Sequence, residues 1–133
     1  MKDRLKPELE GTQQFEIDTS RTIEFMGDDL RVYGTPYMVR DIEETSRLLI
    51  QGHLDDGEET VGVHVSVDHL GASLMGMTAT VKAKIVDVDG QRVTLEVEVH
   101  DGMDLVGKAK HVRFVIDRDR QVARLEKKRA AMG

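Results

Sequence analysis

Four side chains in this sequence have types and spacing that could carry hydrolytic chemistry or bind a ligand: an imidazole, a carboxylate, a hydroxyl and a guanidinium. His69 follows Val61–Asp68, a stretch in which valine recurs at every second residue. It has the parity of Val67 and points to the same apolar side, at the strand's end. An imidazole at the rim of an apolar face has the pKa range for acid–base work, and it also suits a hydrogen-bonded histidine at a core edge. Glu43 lies between Val39 and Ile50 on a helical projection. A carboxylate there is costly unless paired. It reads as a general base or orienting group, or more plainly as a helix-edge glutamate reaching water beside Arg47. Thr35 stands before Pro36, where its plainer role is an N-cap hydroxyl already taken by a backbone N–H. It is about 80° around the helix from Glu43, so the two line one side of a cleft. Arg113 shares its parity with His111, near Gly107 and Ala109, whose small side chains leave room for a ligand. Its plainer reading is a surface strand arginine with an acidic partner. Hydroxyl, carboxylate and inward imidazole are the elements of hydrolysis by an activated water or hydroxyl.

The elements that must position these groups are legible in the periodicity. Thr35-Pro36 starts a helix running to about Gln51, with Gly52 as its C′ stop. Met38, Ile42, Thr45 and Leu49 form its apolar stripe. Arg40, Glu44, Arg47 and Gln51 form its polar arc. With Val39 and Ile50 also apolar, the helix is substantially covered. Ahead of it, Gln14–Ile17 and Thr19–Phe25 read as an opening strand, and Met26–Gly34 as a loop. Beyond residue 55 the period changes to two. Val61, Val63, Val65 and Val67 share one face. So do Met77, Ala79, Val81, Ala83 and Ile85 in the next strand, and Val93, Leu95, Val97 and Val99 in a third. Asp89-Gly90 and Asp101-Gly102 mark turns, Leu105–Ile116 is a last strand, and Asp119 to Ala130 is a charged helix. The expected fold is α+β: an antiparallel sheet of about five strands wrapped around one long helix, in a single domain over residues 1–133. Residues 1–12 read as an N-terminal extension and 118–133 as a charged C-terminal segment.

Composition narrows the function. The 133 residues fit one domain. The net charge of −6 argues against a nucleic-acid surface. With no cysteine, disulfides, thiolate metal sites and a cysteine nucleophile are excluded, so any covalent route runs through Thr35. Aromatics are only 4%, so the core is aliphatic. No apolar run approaches the ~20 residues of a membrane span, and Met1 to Glu10 lacks an apolar leader. The expectation is a cytoplasmic protein with no membrane partner. His53, His64, His100 and His111 have no metal-ligand spacing, so no metal is expected. Arg118, Arg120, Arg124, Lys127, Lys128 and Arg129 read as a solvated helix face, with phosphate contacts as the alternative.

The order of these residues carries a resemblance. Gly34-Thr35-Pro36-Tyr37-Met38-Val39 through Glu43, then Val67-Asp68-His69 with Gly71-Ala72-Ser73, then Gly107 and His111-Val112-Arg113-Phe114-Val115-Ile116, resembles the fluoroacetyl-CoA thioesterase-like family. The resemblance covers roughly residues 13–118. It implies a hotdog fold, and it implies that Thr35, Glu43 and His69 match the family's catalytic residues. It further implies that Gly62 matches a glycine beside the thioester and Arg113 an arginine near the acyl end. Family members are dimers with each acyl-CoA site at the subunit interface, so the expected partners are an acyl-CoA and a second copy, in a homodimer or a tetramer. No cofactor is expected; CoA enters as part of the substrate. Leu74 and Met75 stand where the family's loop carries prolines, and Met26–Tyr33 is shorter than the aromatic-rich lid of the fluoroacetate enzyme. The expected substrate is therefore a short- or medium-chain acyl-CoA. The alternative is a non-catalytic acyl-CoA- or acyl-carrier-binding module on the same fold.

Overall fold

A computed structural model describes residues 4–133. Five strands and two helices follow in the order β1 (Glu10–Glu16), α1 (Thr35–Gln51), β2 (Glu58–His69), β3 (Thr78–Asp89), β4 (Arg92–His100), β5 (Leu105–Asp117) and α2 (Arg118–Ala131). All strand pairs are antiparallel, in the order β1-β3-β4-β5-β2. This is the expected sheet. The long connection between β1 and β2 holds α1, which packs across the inner face.

Alternation explains the two faces. Ala79, Val81, Ala83 and Ile85 of β3 and Val93, Leu95, Val97 and Val99 of β4 point inward and are buried against Met38, Ile42 and Ile50 of α1. The outer face is a lattice of charge: Lys84 opposes Glu96, which opposes Lys110, and Lys82 opposes Glu98, which opposes Lys108. Opposite charges directly across a ladder support the pairing and keep that face in water. The hairpin between β3 and β4 is closed by Asp89 and Arg92. Its loop is therefore Gly90-Gln91, one residue later than the Asp-Gly signal suggests, and Gly90 takes the left-handed φ of 59° that such a loop needs.

Several sequence expectations are corrected. Thr19–Phe25 is not strand: Thr19–Arg21 is a 3₁₀ turn capped by Asp18, and Thr22 only bridges to Tyr33. The first strand begins at Glu10, inside the segment read as an extension, and Leu5 joins the core at 4% exposure. Gly52 ends α1 with φ −63°, in the right-handed region, so it is no left-handed stop. In β2 a bulge between Gly62 and His64 reverses the parity. Val61 opposes Phe114 on the outer side, whereas Val65, Val67 and His69 oppose His111, Ala109 and Gly107 on the inner side. Val63 is the extra residue and is 57% exposed. The four valines thus do not share a face, and the bulge is what turns both Gly62 and His69 toward α1.

Candidate active site

The first turn of α1 carries the hydroxyl. Thr35 is the first helical residue, not the cap; Gly34 is the cap. Its hydroxyl is therefore free of the backbone, and Thr35 Oγ1 lies 2.7 Å from His69 Nδ1. Pro36 has no N–H, and the amides of Tyr37 and Met38 both donate to the Gly34 carbonyl. The Thr35 N–H is thus the first-turn amide left without a partner among the described residues. His69 Nε2 is buried with no hydrogen-bond partner there. Burial pulls the His69 pKa below the ordinary histidine range, with a backbone group of Gly71 opposing. The imidazole is accordingly neutral at neutral pH and able to take a proton at Nδ1.

Behind this pair lies a buried network that sequence reading missed. Asp41 is 1% exposed. It accepts from Arg21 Nε at 2.9 Å and Nη2 at 3.0 Å, and from the Tyr33 hydroxyl at 2.6 Å. Burial, reinforced by this bond to Asp41, raises the Tyr33 pKa. The bond to Asp41 likewise raises that of Arg21. Tyr33 also donates its backbone N–H to the Ser73 carbonyl and meets the His69 ring edge-on, centroids 6.3 Å apart. It therefore ties the start of α1 to the loop after His69. The signal was present: Asp41 falls three residues after Met38 and one before Ile42, an acid inside an apolar arc.

Glu43 occupies a different place. It lies two turns further along α1, about 12 Å from Thr35 along the helix axis. Its Oε2 is 3.7 Å from Arg113 Nη1, and no bond joins it to His69. Arg47 pairs with Glu44 at 2.6 Å instead. Arg113 is not a surface arginine; it is 5% exposed. Its Nε and Nη2 donate to the hydroxyl and carbonyl of Thr60, at 2.9 and 3.0 Å. Nη1 lies 3.2 Å from His111 Nε2, and His111 Nδ1 lies 2.8 Å from the His64 carbonyl. A carbonyl only accepts and a guanidinium only donates, so His111 carries its proton on Nδ1. Burial, with the nearby Arg113 charge, lowers its pKa and keeps it neutral. Burial also lowers the pKa of Arg113, with Glu43 opposing.

Gly62 faces this cluster. A Cβ there would come within 3.2 Å of Glu43 Oε2 and 3.3 Å of Arg113 Nη1 and His111 Cε1. The missing side chain lets carboxylate, guanidinium and imidazole close in on the backbone, in a space slightly too small for a methyl group. Gly107 does otherwise. Its space is filled by Met38, whose Sδ would be 2.7 Å from a Cβ, so this small residue makes room for the helix and not for a ligand. The site residues thus fall into two groups, Thr35 with His69 and Glu43 with Gly62 and Arg113. An open trench of about 300 Å³ runs along α1 beside the second group, lined by Pro36, Val39, Arg40, Glu43, Glu44, Arg47 and Arg113. No set of three or more acids and histidines able to hold a metal occurs among the described residues. Among the same residues, no helix is long and apolar enough to cross a membrane. The basic residues of α2 are exposed, as a solvated face.

A five-stranded antiparallel sheet carrying one long inner helix is the architecture of the hotdog-fold thioesterases. The chain belongs to the fluoroacetyl-CoA-specific thioesterase family, which it matches over residues 17–119. It is 28% identical to the fluoroacetyl-CoA thioesterase of Streptantibioticus cattleyicolor, covering 98% of this chain and 99% of that one. A crystal structure of a Thermus thermophilus hypothetical protein, described as a thioesterase superfamily member, superposes with a TM-score of 0.87 at 28% identity, covering 98% of this chain and 99% of that one. A structure of the fluoroacetyl-CoA thioesterase superposes with a TM-score of 0.85 at 27% identity, covering 95% and 98%.

Proposed function

We propose that the protein hydrolyses a short- or medium-chain acyl-CoA thioester, with Thr35, Glu43 and His69 as its reacting groups. The observation that carries this is the 2.7 Å contact between Thr35 Oγ1 and a neutral His69 Nδ1, at a helix start with one free amide. Family membership supports the same chemistry.

Two routes use these groups. In one, His69 Nδ1 takes the Thr35 proton as Oγ1 attacks the thioester carbonyl. The C–S bond breaks, the thiolate takes the proton back from Nδ1, and water then cleaves the acyl-threonine. In the other, Glu43 orients a water that attacks the carbonyl directly, His69 Nδ1 takes the water's proton, and the departing thiolate takes that proton back as the C–S bond breaks. In both, the Thr35 N–H and the dipole of α1 face the oxygen on which charge develops. His69 Nε2 has no outlet, so Nδ1 is the atom that receives and returns the proton.

The separation of Glu43 from His69 calls for a second copy. Strand β2 is a sheet edge and carries an exposed valine at its bulge. An unpaired edge of this length is a template for another strand. Antiparallel pairing of two β2 strands about a twofold axis near Val65–Ser66 would set Gly62 and Glu43 of one copy opposite Thr35 and His69 of the other. Each of two sites would then take half its groups from each subunit.

The test is thiol release from a panel of acyl-CoAs by the intact protein. The proposal expects turnover that is lost in His69→Ala and Glu43→Ala while both variants stay folded. Saturable binding with no thiol release from any acyl-CoA would overturn it in favour of a binding module.

A further inference from the structure

The trench along α1 is unusual in what lines it. Only Pro36 and Val39 are apolar; the remaining five lining residues are charged. A fatty acyl chain laid there would bury little apolar surface, which is what drives such a chain out of water. The charges are also unevenly committed. Arg113 spends its guanidinium on Thr60, His111 and Glu43. Arg47 is held by Glu44 at 2.6 Å. Arg40 has no carboxylate partner among the described residues; its guanidinium stands 5.7 Å from the centre of the Tyr37 ring. It is the one surplus cation in the trench of a chain whose net charge is −6.

Its position decides what anion it can meet. Arg40 lies three residues before Glu43 and five after Thr35, so about 4.5 and 7.5 Å from them along the axis. The phosphates of CoA stand at the far end of the extended pantetheine arm, well beyond one helical turn from the thioester. An anion that reaches Arg40 while the thioester is at the reactive groups is therefore on the acyl side. A guanidinium binds a carboxylate through two parallel N–H···O bonds, a geometry suited to a carboxylate at the end of a short chain.

We propose that Arg40 recognises a carboxylate carried by the acyl group, so that the preferred substrates are short ω-carboxyacyl-CoA thioesters. This rests on the thioesterase reading above and names its substrate class.

The experiment compares thiol release from succinyl-CoA and butyryl-CoA, thioesters of equal acyl length, and from the same acyl groups on pantetheine, which lacks the nucleotide and its phosphates. Intact protein and the Arg40→Gln variant are measured together. Arg40 is exposed, and matching thermal melts establish that the variant folds. The expected result is a preference of at least about tenfold in kcat/KM for the succinyl thioesters, the size of one charged hydrogen bond. Arg40→Gln removes that preference, mainly through KM, on CoA and pantetheine carriers alike. Equal hydrolysis of succinyl- and butyryl-CoA overturns the proposal and leaves the thioesterase reading standing. A loss in Arg40→Gln on both CoA thioesters but on neither pantetheine thioester also overturns it, because Arg40 then reads phosphate. No thiol release from any of the four, with turnover of other acyl-CoAs in the panel, overturns the proposal alone; no release across the whole panel overturns the thioesterase reading itself.

Discussion

The first turn of α1 and its middle solve opposite problems. At its first turn, Thr35 and His69 share a single contact, and the second imidazole nitrogen has no partner. Two turns on, the Arg113 guanidinium has three hydrogen-bonded groups and a carboxylate around it, and His111 uses both nitrogens. The first end keeps a proton acceptor loosely held and neutral. The middle of the helix faces a cation locked in place close against the Gly62 backbone. A reacting group needs a free lone pair, whereas a group that orients or stabilises charge needs fixed geometry. On the proposed function, the Thr35 group would supply the proton acceptor, and the Arg113 group would hold Glu43 and the acyl group in place.

The largest effect that would break this comparison is on catalysis. His69→Ala should lower kcat/KM by about a hundred- to ten-thousand-fold, the usual worth of a positioned acid–base group. Its melting temperature should stay near that of the parent, since one hydrogen bond is lost. Next in size is the scaffold. Asp41→Ala leaves the Arg21 guanidinium and the Tyr33 hydroxyl without their buried partner and should cost about 3–5 kcal/mol in urea unfolding. A cost near zero would mean that the network does not brace the start of α1. At the ordered end, His111→Phe strands an Arg113 N–H and the His64 carbonyl, with an expected loss of about 1–3 kcal/mol by the same measurement. Gly62→Ala should be milder for stability. Its new Cβ demands that Glu43, Arg113 and His111 give by a few tenths of an ångström. The damage should fall on kcat/KM, and an unaltered kcat/KM would remove Gly62 from the site.

The smallest effect is the pH dependence. Both His69 and His111 have pKa values lowered by burial from 6.5. The unfolded chain therefore binds protons before the folded one does as pH falls. The stability contributed by neutral burial is complete above about pH 6.5 and is lost as pH drops through the lowered folded values. Urea midpoints should fall over that acid range, and the acid limb of kcat/KM should lie below pH 6.5. A limb above 6.5 would contradict a desolvated His69 acting as base.

Much of this was legible in the sequence, and what was missed has physical causes. Period-two alternation marked β3 and β4 because one face of each is buried and the other polar; β5, buried at three successive residues from His111 to Arg113, has no such clean alternation. The same rule failed in β2, where one extra residue at Val63 reversed the register without altering the valine pattern. Thr35, Glu43, His69 and Arg113 were singled out by type, spacing and resemblance, and Gly62 by resemblance alone; Glu43 and Arg113 line the trench, and Thr35 meets His69 at the start of α1. Their division into two groups was not legible, because 80° on a helical wheel hides a rise of about 12 Å. Asp41 escaped notice because its partners, Arg21 and Tyr33, lie in a segment with no periodicity at all.

The central claim is that the two groups are halves of one site completed by a second copy. His69→Ala and Glu43→Ala proteins, each inactive alone, are mixed, unfolded and refolded together, and thiol release is measured. Shared sites predict that activity returns, because mixed dimers contain one site with an intact Glu43 from one chain and an intact His69 from the other. A mixture as inactive as its parts, with mixed dimers shown to have formed, would contradict the claim.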